Sequence, residues 1–348
     1  MRRAAPPGDV GTGTTHRQLR ARALAAALTA AALTTGAPAP AVAAGNPTCG
    51  TLLTTDTVLT GDLVCTAGPA VLLAPGVSLD LGGHTVRGSR YQVGVLVPHG
   101  GDVEISNGVI TGWGTGVRAE PGTSGTLSIH DVHLPWNFTS ASTAPLNKAG
   151  HVHLVVERVR VDGSARLPGG FYALNGGGLT VTDSRLVVGG TACSSGPCRV
   201  QRVELVRGAI SGGPGMVVTD NVMVGNGADR GSRGIAVGAP PGGGPRSIVS
   251  RNSVRNYATG LDLGDGADVV VEDNTLVGNG TGLSLWFEVR GSVRRNLLAD
   301  NHVGLLDRSG PVSIRDNVVV ANRDRGVASF RRPELLRSNV VHGNGDDG

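Results

Sequence analysis

Four side chains in the middle of the chain carry groups suited to sugar chemistry: Tyr172, Glu204, Arg207 and Asp262. Two carboxylates flanking a glycosidic bond can act as the acid and base of hydrolysis. A phenol or guanidinium can instead exchange the proton beside a uronate carboxylate while a second cation neutralises that carboxylate. Arg118, Glu120 and Trp286 supply charge and a ring for substrate binding, with Arg308 and Phe330 at equivalent positions. A second group joins His130, His153 and Glu157, with Asp102 and Glu104 near them. An imidazole beside a carboxylate is a base with its orienter, or half of a metal site. The competing reading is a cross-strand ion pair under a surface loop. That loop, Pro135 to Gly150, holds Trp136, Phe138 and Lys148, the one lysine of the chain. Arg294, Arg315 and Arg337 recur as a third group, either a docking strip for an acidic polysaccharide or partners for Glu272 and Asp300. For the first group the alternative is solvated side chains on a scaffold.

What positions these residues is a repeat. Asn274-Thr-Leu-Val-Gly-Asn279, Asn296-Leu-Leu-Ala-Asp-Asn301, Asn317-Val-Val-Val-Ala-Asn322 and Asn339-Val-Val-His-Gly-Asn344 share one pattern. Its first Asn falls at 252, 274, 296, 317 and 339, in steps of 21 or 22 residues; Tyr257 replaces the second Asn in the coil of Asn252. The flanks alternate with a period of two, as strands do. Asn and Gly suit the turns because they tolerate left-handed backbone angles. Each unit therefore reads as strand, Asn turn, strand, Gly turn, strand, and stacked units of this kind form a solenoid. No apolar period of 3.6 supports a helical solenoid.

The frame extends backwards through the apolar pairs Val103/Ile105, Leu127/Ile129, Leu154/Val156 and Leu179/Val181, which place Gly108, Val132, Val159 and Ser184 in the Asn column. Between 184 and 221 the segment is too long for one coil and short for two. The residue preceding this column runs Asp131, Arg158, Asp183, Asp220, Arg251, Asp273, Arg295, Asp316. Opposite charges on neighbouring strands attract, so the alternation is read as structural, and the like-charged step from Asp183 to Asp220 marks the uncertain register.

Residues 1–44 read as an export signal, with Arg17, Arg20 and Arg22 before an Ala-rich stretch and an Ala-x-Ala site at Ala41-Val42-Ala43. The apolar run is too short to span a membrane. Without this segment the chain has 26 Lys and Arg against 26 Asp and Glu, so its basicity belongs to the signal and no nucleic-acid partner is indicated. Cys49 with Cys65, and Cys193 with Cys198, are expected as two disulfides of an exported, extracellular protein; the spacing of the four does not suit a metal. Residues 45–84 would form the N-terminal cap and first coils, 85–250 coils with long insertions, and 251–348 regular coils. The repeat continues to Asn344-Gly-Asp-Asp without a separate cap, which predicts a partner or self-association at the last coil, or a sequence that is a fragment.

The repeat, with the opening Cys49-Gly, Asp62-Leu-Val-Cys65 and Val77-Ser-Leu-Asp-Leu-Gly-Gly-His84, resembles secreted bacterial right-handed parallel β-helix proteins of the pectin-lyase-like superfamily. The resemblance implies an all-β, single-stranded, right-handed parallel β-helix. It implies a substrate groove on the strand after the Gly turn, and a polysaccharide as ligand. The relatives include lyases, glycoside hydrolases, uronate epimerases and noncatalytic surface proteins. A lyase would add calcium, for which no ligand set is legible. The Asp-Pro-His-Asp pattern of mannuronan epimerases is absent, Pro98-His99-Gly100 not matching it. Nine His and three Met are scattered rather than grouped for copper. The resulting expectation is a protein that binds, and through Tyr172, Glu204, Arg207 or Asp262 cleaves or epimerises, a polysaccharide; the alternative is a noncatalytic carbohydrate-binding or structural β-helix.

Overall fold

A computed structural model describes residues 46–143, 151–166, 168–173, 176–194, 196–227, 231–238, 243–264, 266–310, 312–329 and 338–347. The signal-like segment, Lys148, Phe330 and Arg337 lie outside these residues. All the described residues fall within one unit, Pro40–Gly348.

The chain is the expected all-β parallel solenoid. One side is a thirteen-stranded parallel sheet running from Thr51–Leu53 to Arg325–Ser329, here called the front sheet. Two further walls complete each coil, one before the Asn column and one after it. In the Asn274 coil these are Asp268–Glu272 and Thr275–Val277, followed by the front strand Thr281–Leu285. Every inter-coil pairing is parallel, as winding in one sense requires.

The core follows from the alternation. Along the first wall the paired residues are Leu79, Ile105, Ile129, Val156, Val181, Val200, Val218, Val249, Val271, Val293 and Ile314, one per coil and all buried. An unbroken aliphatic stack tolerates no slip, because a one-residue shift would turn each side chain out to solvent.

The stretch from 184 to 221 holds two short coils. Strands Cys198–Gln201, Glu204–Val206 and Ile210–Gly212 make up the coil that the residue pattern left unplaced. Val203 occupies its Asn column, with its N–H donating to Asn221 Oδ1 at 2.9 Å. The Cys193–Cys198 disulfide closes the tight turn leading into it, and Cys49–Cys65 closes the first coils.

This coil supplies Arg202, which mends the charge column to a strict alternation from Asp131 to Asp316. All nine residues of the column have φ between +51° and +61°. Each such left-handed non-glycine residue costs about 1–2 kcal/mol. Each Arg grips the Asp of the preceding coil with two nitrogens: Arg158 on Asp131, Arg202 on Asp183, Arg251 on Asp220 and Arg295 on Asp273.

Candidate functional site

The Asn side chains build two internal ladders. In the first, Asn296 Nδ2 donates to Asn317 Oδ1 at 2.9 Å and to the Val271 carbonyl at 3.0 Å, while Asn296 Oδ1 accepts from the Asn274 N–H and Nδ2. The second ladder repeats this through Asn279, Asn301, Asn322 and Asn344. It lies at the corner where the second wall turns into the front sheet.

Followed towards the N-terminus, the second ladder fails. Tyr257 stands where an Asn is due; its N–H still donates to Asn279 Oδ1, at 3.0 Å. Two coils further back the column holds Gly208, then Gly189. A Cβ on Gly208 would lie 1.8 Å from the Gly189 carbonyl oxygen, so the coils close on bare backbone there. The missing side chains leave a cleft of about 290 Å³ on the corner, lined among others by Tyr172, Arg207, Asn226, Ser232, Arg233 and Tyr257. That is near the lower end of small-ligand pockets, about 300 Å³.

Polar groups converge on this cleft. The Tyr257 ring fills part of the broken ladder, and its hydroxyl donates to the Gly208 carbonyl at 2.7 Å. Burial pushes both the Tyr172 and the Tyr257 phenol above the usual range, and the Tyr172 hydroxyl donates to the Gly169 carbonyl at 3.3 Å. Arg207 has φ of +54°, is exposed, and has no ion-pair partner among the described residues. Arg233 Nε holds Asp262 Oδ2 at 2.9 Å. Trp286 Nε1 donates to the other Asp262 oxygen at 2.7 Å, and the Arg308 guanidinium lies 4.8 Å from the Trp286 ring centroid. Arg233, Asp262, Trp286 and Arg308 thus form a connected track running from the cleft onto the front sheet.

Of the four residues singled out for chemistry, Tyr172 and Arg207 share the cleft, while Asp262 is linked to it through Arg233. Asp262 and Tyr172 stand four strands apart in one outward column, Tyr172, Ala192, Ser211, Ala236, Asp262, or roughly 19 Å at strand spacing. Both Asp262 oxygens are taken by donors, so the carboxylate anchors Arg233 rather than standing free as a base. Glu204 projects from the second wall and accepts from Arg185 Nε at 2.9 Å. Arg118 and Glu120 pair with each other at 2.6 Å. Arg294 is neutralised by Glu272 at 2.8 Å and Arg315 by Asp316 at 2.6 Å.

The histidine group divides. His130 lies opposite Glu157 in register, but its ring nitrogens meet Glu104 and Asp131, each at 2.9 Å. Glu157 turns to Arg158. His153 sits four residues before Glu157 on the same strand and meets the Thr180 hydroxyl at 2.8 Å; burial lowers its pKa. Among the described residues no group of His, Cys, Asp or Glu is arranged to hold a metal ion. Arg233 and Tyr257 were missed by the residue pattern. The signal for Tyr257 was its intrusion into the Asn column; nothing in the sequence marked Arg233.

The family described as periplasmic copper-binding protein (NosD) matches residues 216–345. Within that stretch Met216 and Met223 are buried in the core, and His302 and His342 are exposed on separate segments, so these residues do not assemble a copper site. No curated protein matches the chain. Two solved structures share its fold. A double mutant of the periplasmic alginate epimerase AlgG is 11% identical over 82% of this chain and 78% of that one, with a TM-score of 0.53. Unsubstituted AlgG is likewise 11% identical over 82% and 78%, with a TM-score of 0.51.

Proposed function

We propose that this parallel β-helix repeat protein is exported and binds an acidic polysaccharide at the corner cleft, with Arg207 as the principal anchor for a uronate carboxylate. The observation that carries the reading is the convergence of Arg207, Arg233, Tyr172 and Tyr257 on the hollow at the corner where the second ladder breaks. An exposed guanidinium without an ion-pair partner among the described residues suits a planar carboxylate, which it grips with two parallel hydrogen bonds. Both phenol O–H groups donate to backbone carbonyls, Tyr172 to Gly169 at 3.3 Å and Tyr257 to Gly208 at 2.7 Å, which leaves their oxygens to accept from sugar hydroxyls. AlgG, an alginate epimerase by name, uses the same fold; that likeness extends to the fold alone, so the reading rests on the cleft.

Export fits the residue pattern of positions 1–44 and the two disulfides, which persist in oxidising compartments. The test is a panel of alginate, polygalacturonate and neutral dextran, read for binding and for the ultraviolet absorbance of unsaturated uronate ends. Binding to the acidic polymers that weakens with added salt supports the reading. Equal binding to dextran, or none to any polymer, overturns it.

A further inference from the structure

The chain contains only ten aromatic side chains, three Trp, three Tyr and four Phe. Their placement is uneven. Trp113 and Phe171 are in the core, and Trp286 and Phe287 lie at the far edge of the front sheet. Four of the ten, Tyr91, Trp136, Phe138 and Tyr257, fall along the corner that carries the cleft, and Tyr172 lines the cleft from the adjoining front strand. Trp136 and Phe138 are each 55% exposed, so burial does not explain them.

Their backbone is held firmly. Between them Asn137 is buried, accepting from the Trp113 N–H at 3.0 Å and donating to the Ile110 carbonyl at 2.8 Å. The Trp136 N–H donates to the Asp162 carbonyl at 3.0 Å, and Phe138 N–H to the Trp113 carbonyl at 3.0 Å. Trp136 has φ of +59°, a conformation uncommon for a bulky residue, and it is maintained by these bonds. The turn thus presents two large rings to solvent from a fixed backbone. The strand register carries the column from Phe138 through Pro168 and Val188 to Arg207, three coils away, or about 14 Å.

We infer that Trp136 and Phe138 form a ring-stacking platform for a second part of the same polysaccharide, so that the polymer lies along the corner, parallel to the solenoid axis, from Phe138 to Arg207. This rests on the acidic-polysaccharide reading and adds the direction of the chain and the length of the site. Aromatic faces suit the C–H faces of sugar rings, and the platform is continuous with the cleft along one column.

The experiment compares a disaccharide with an octasaccharide of galacturonic acid by isothermal titration. Replacing both rings (Trp136→Ala with Phe138→Ala) is expected to lower octasaccharide affinity about tenfold and leave the disaccharide unchanged. Trp136→Phe with Phe138→Tyr keeps the rings and should retain octasaccharide affinity. Unchanged octasaccharide affinity in the alanine variant overturns the platform, as does an equal loss for both lengths. If the wild-type protein binds neither length, the acidic-polysaccharide reading itself falls.

Discussion

Arg207 combines two features that pull in opposite directions. Its left-handed backbone favours glycine, yet a long charged side chain occupies the position. Arg207→Gly should therefore leave the urea unfolding midpoint unchanged or higher, since a left-handed non-glycine residue costs about 1–2 kcal/mol. A residue kept for stability would behave in the opposite way. His130 allows a second prediction. Partial burial lowers its pKa, but the hydrogen bonds with Asp131 and Glu104 outweigh this, and the net value lies above the ordinary 6.5. A raised folded-state pKa gives stability that is complete below about 6.5 and fades as pH rises through the folded value. The melting temperature should fall from about pH 6.5 upwards, and His130→Gln should flatten that fall; a slope unchanged in the variant would exclude His130 as its source. Tyr172 was legible as a candidate because the two-residue period after its Gly turn points it outward, and Arg207 because it falls near the same line on the stack. Arg233 was not, because its relevance comes from Asp262, a coil away and 29 residues on.

At the scale of the element, the ladders outweigh the charge column. The Asp–Arg pairs are bidentate but about half exposed, and such pairs contribute roughly 0–1 kcal/mol each. Asn296 is 1% exposed and bonded on both sides, and its loss strands buried donors and acceptors at about 1–3 kcal/mol per group. Asn296→Ala should thus lower the urea midpoint far more than Asp273→Asn; equal effects would refute this ranking. The regular coils were legible because the same Asn recurs wherever the ladder needs it. The coil at 198–212 was not, because Val203 and Gly208 stand in the two ladder columns and the disulfide shortens its turn. The break in the pattern that hid this coil also produces the cleft.

Across the whole molecule, the coils from Asn274 onwards repeat both ladder residues, while the cleft and the exposed Trp136 and Phe138 sit in the coils before them. The first coils have short strands and lean on the Cys49–Cys65 crosslink. Its sequence separation is 16, against 5 for Cys193–Cys198, so chain entropy assigns it about 3 kcal/mol against about 2. Cys49→Ser with Cys65→Ser should lower the denaturant midpoint more than Cys193→Ser with Cys198→Ser, and the reverse order would show that the tight turn at 193–198 matters more than loop length. The central claim is that the broken ladder makes a carboxylate-binding cleft. Its most direct test is the affinity of wild-type protein and Arg207→Gly for polygalacturonate at low salt, with both unfolding midpoints measured. The expected result is a loss of about tenfold in affinity without loss of stability. Equal affinity in a folded Arg207→Gly protein would contradict the claim.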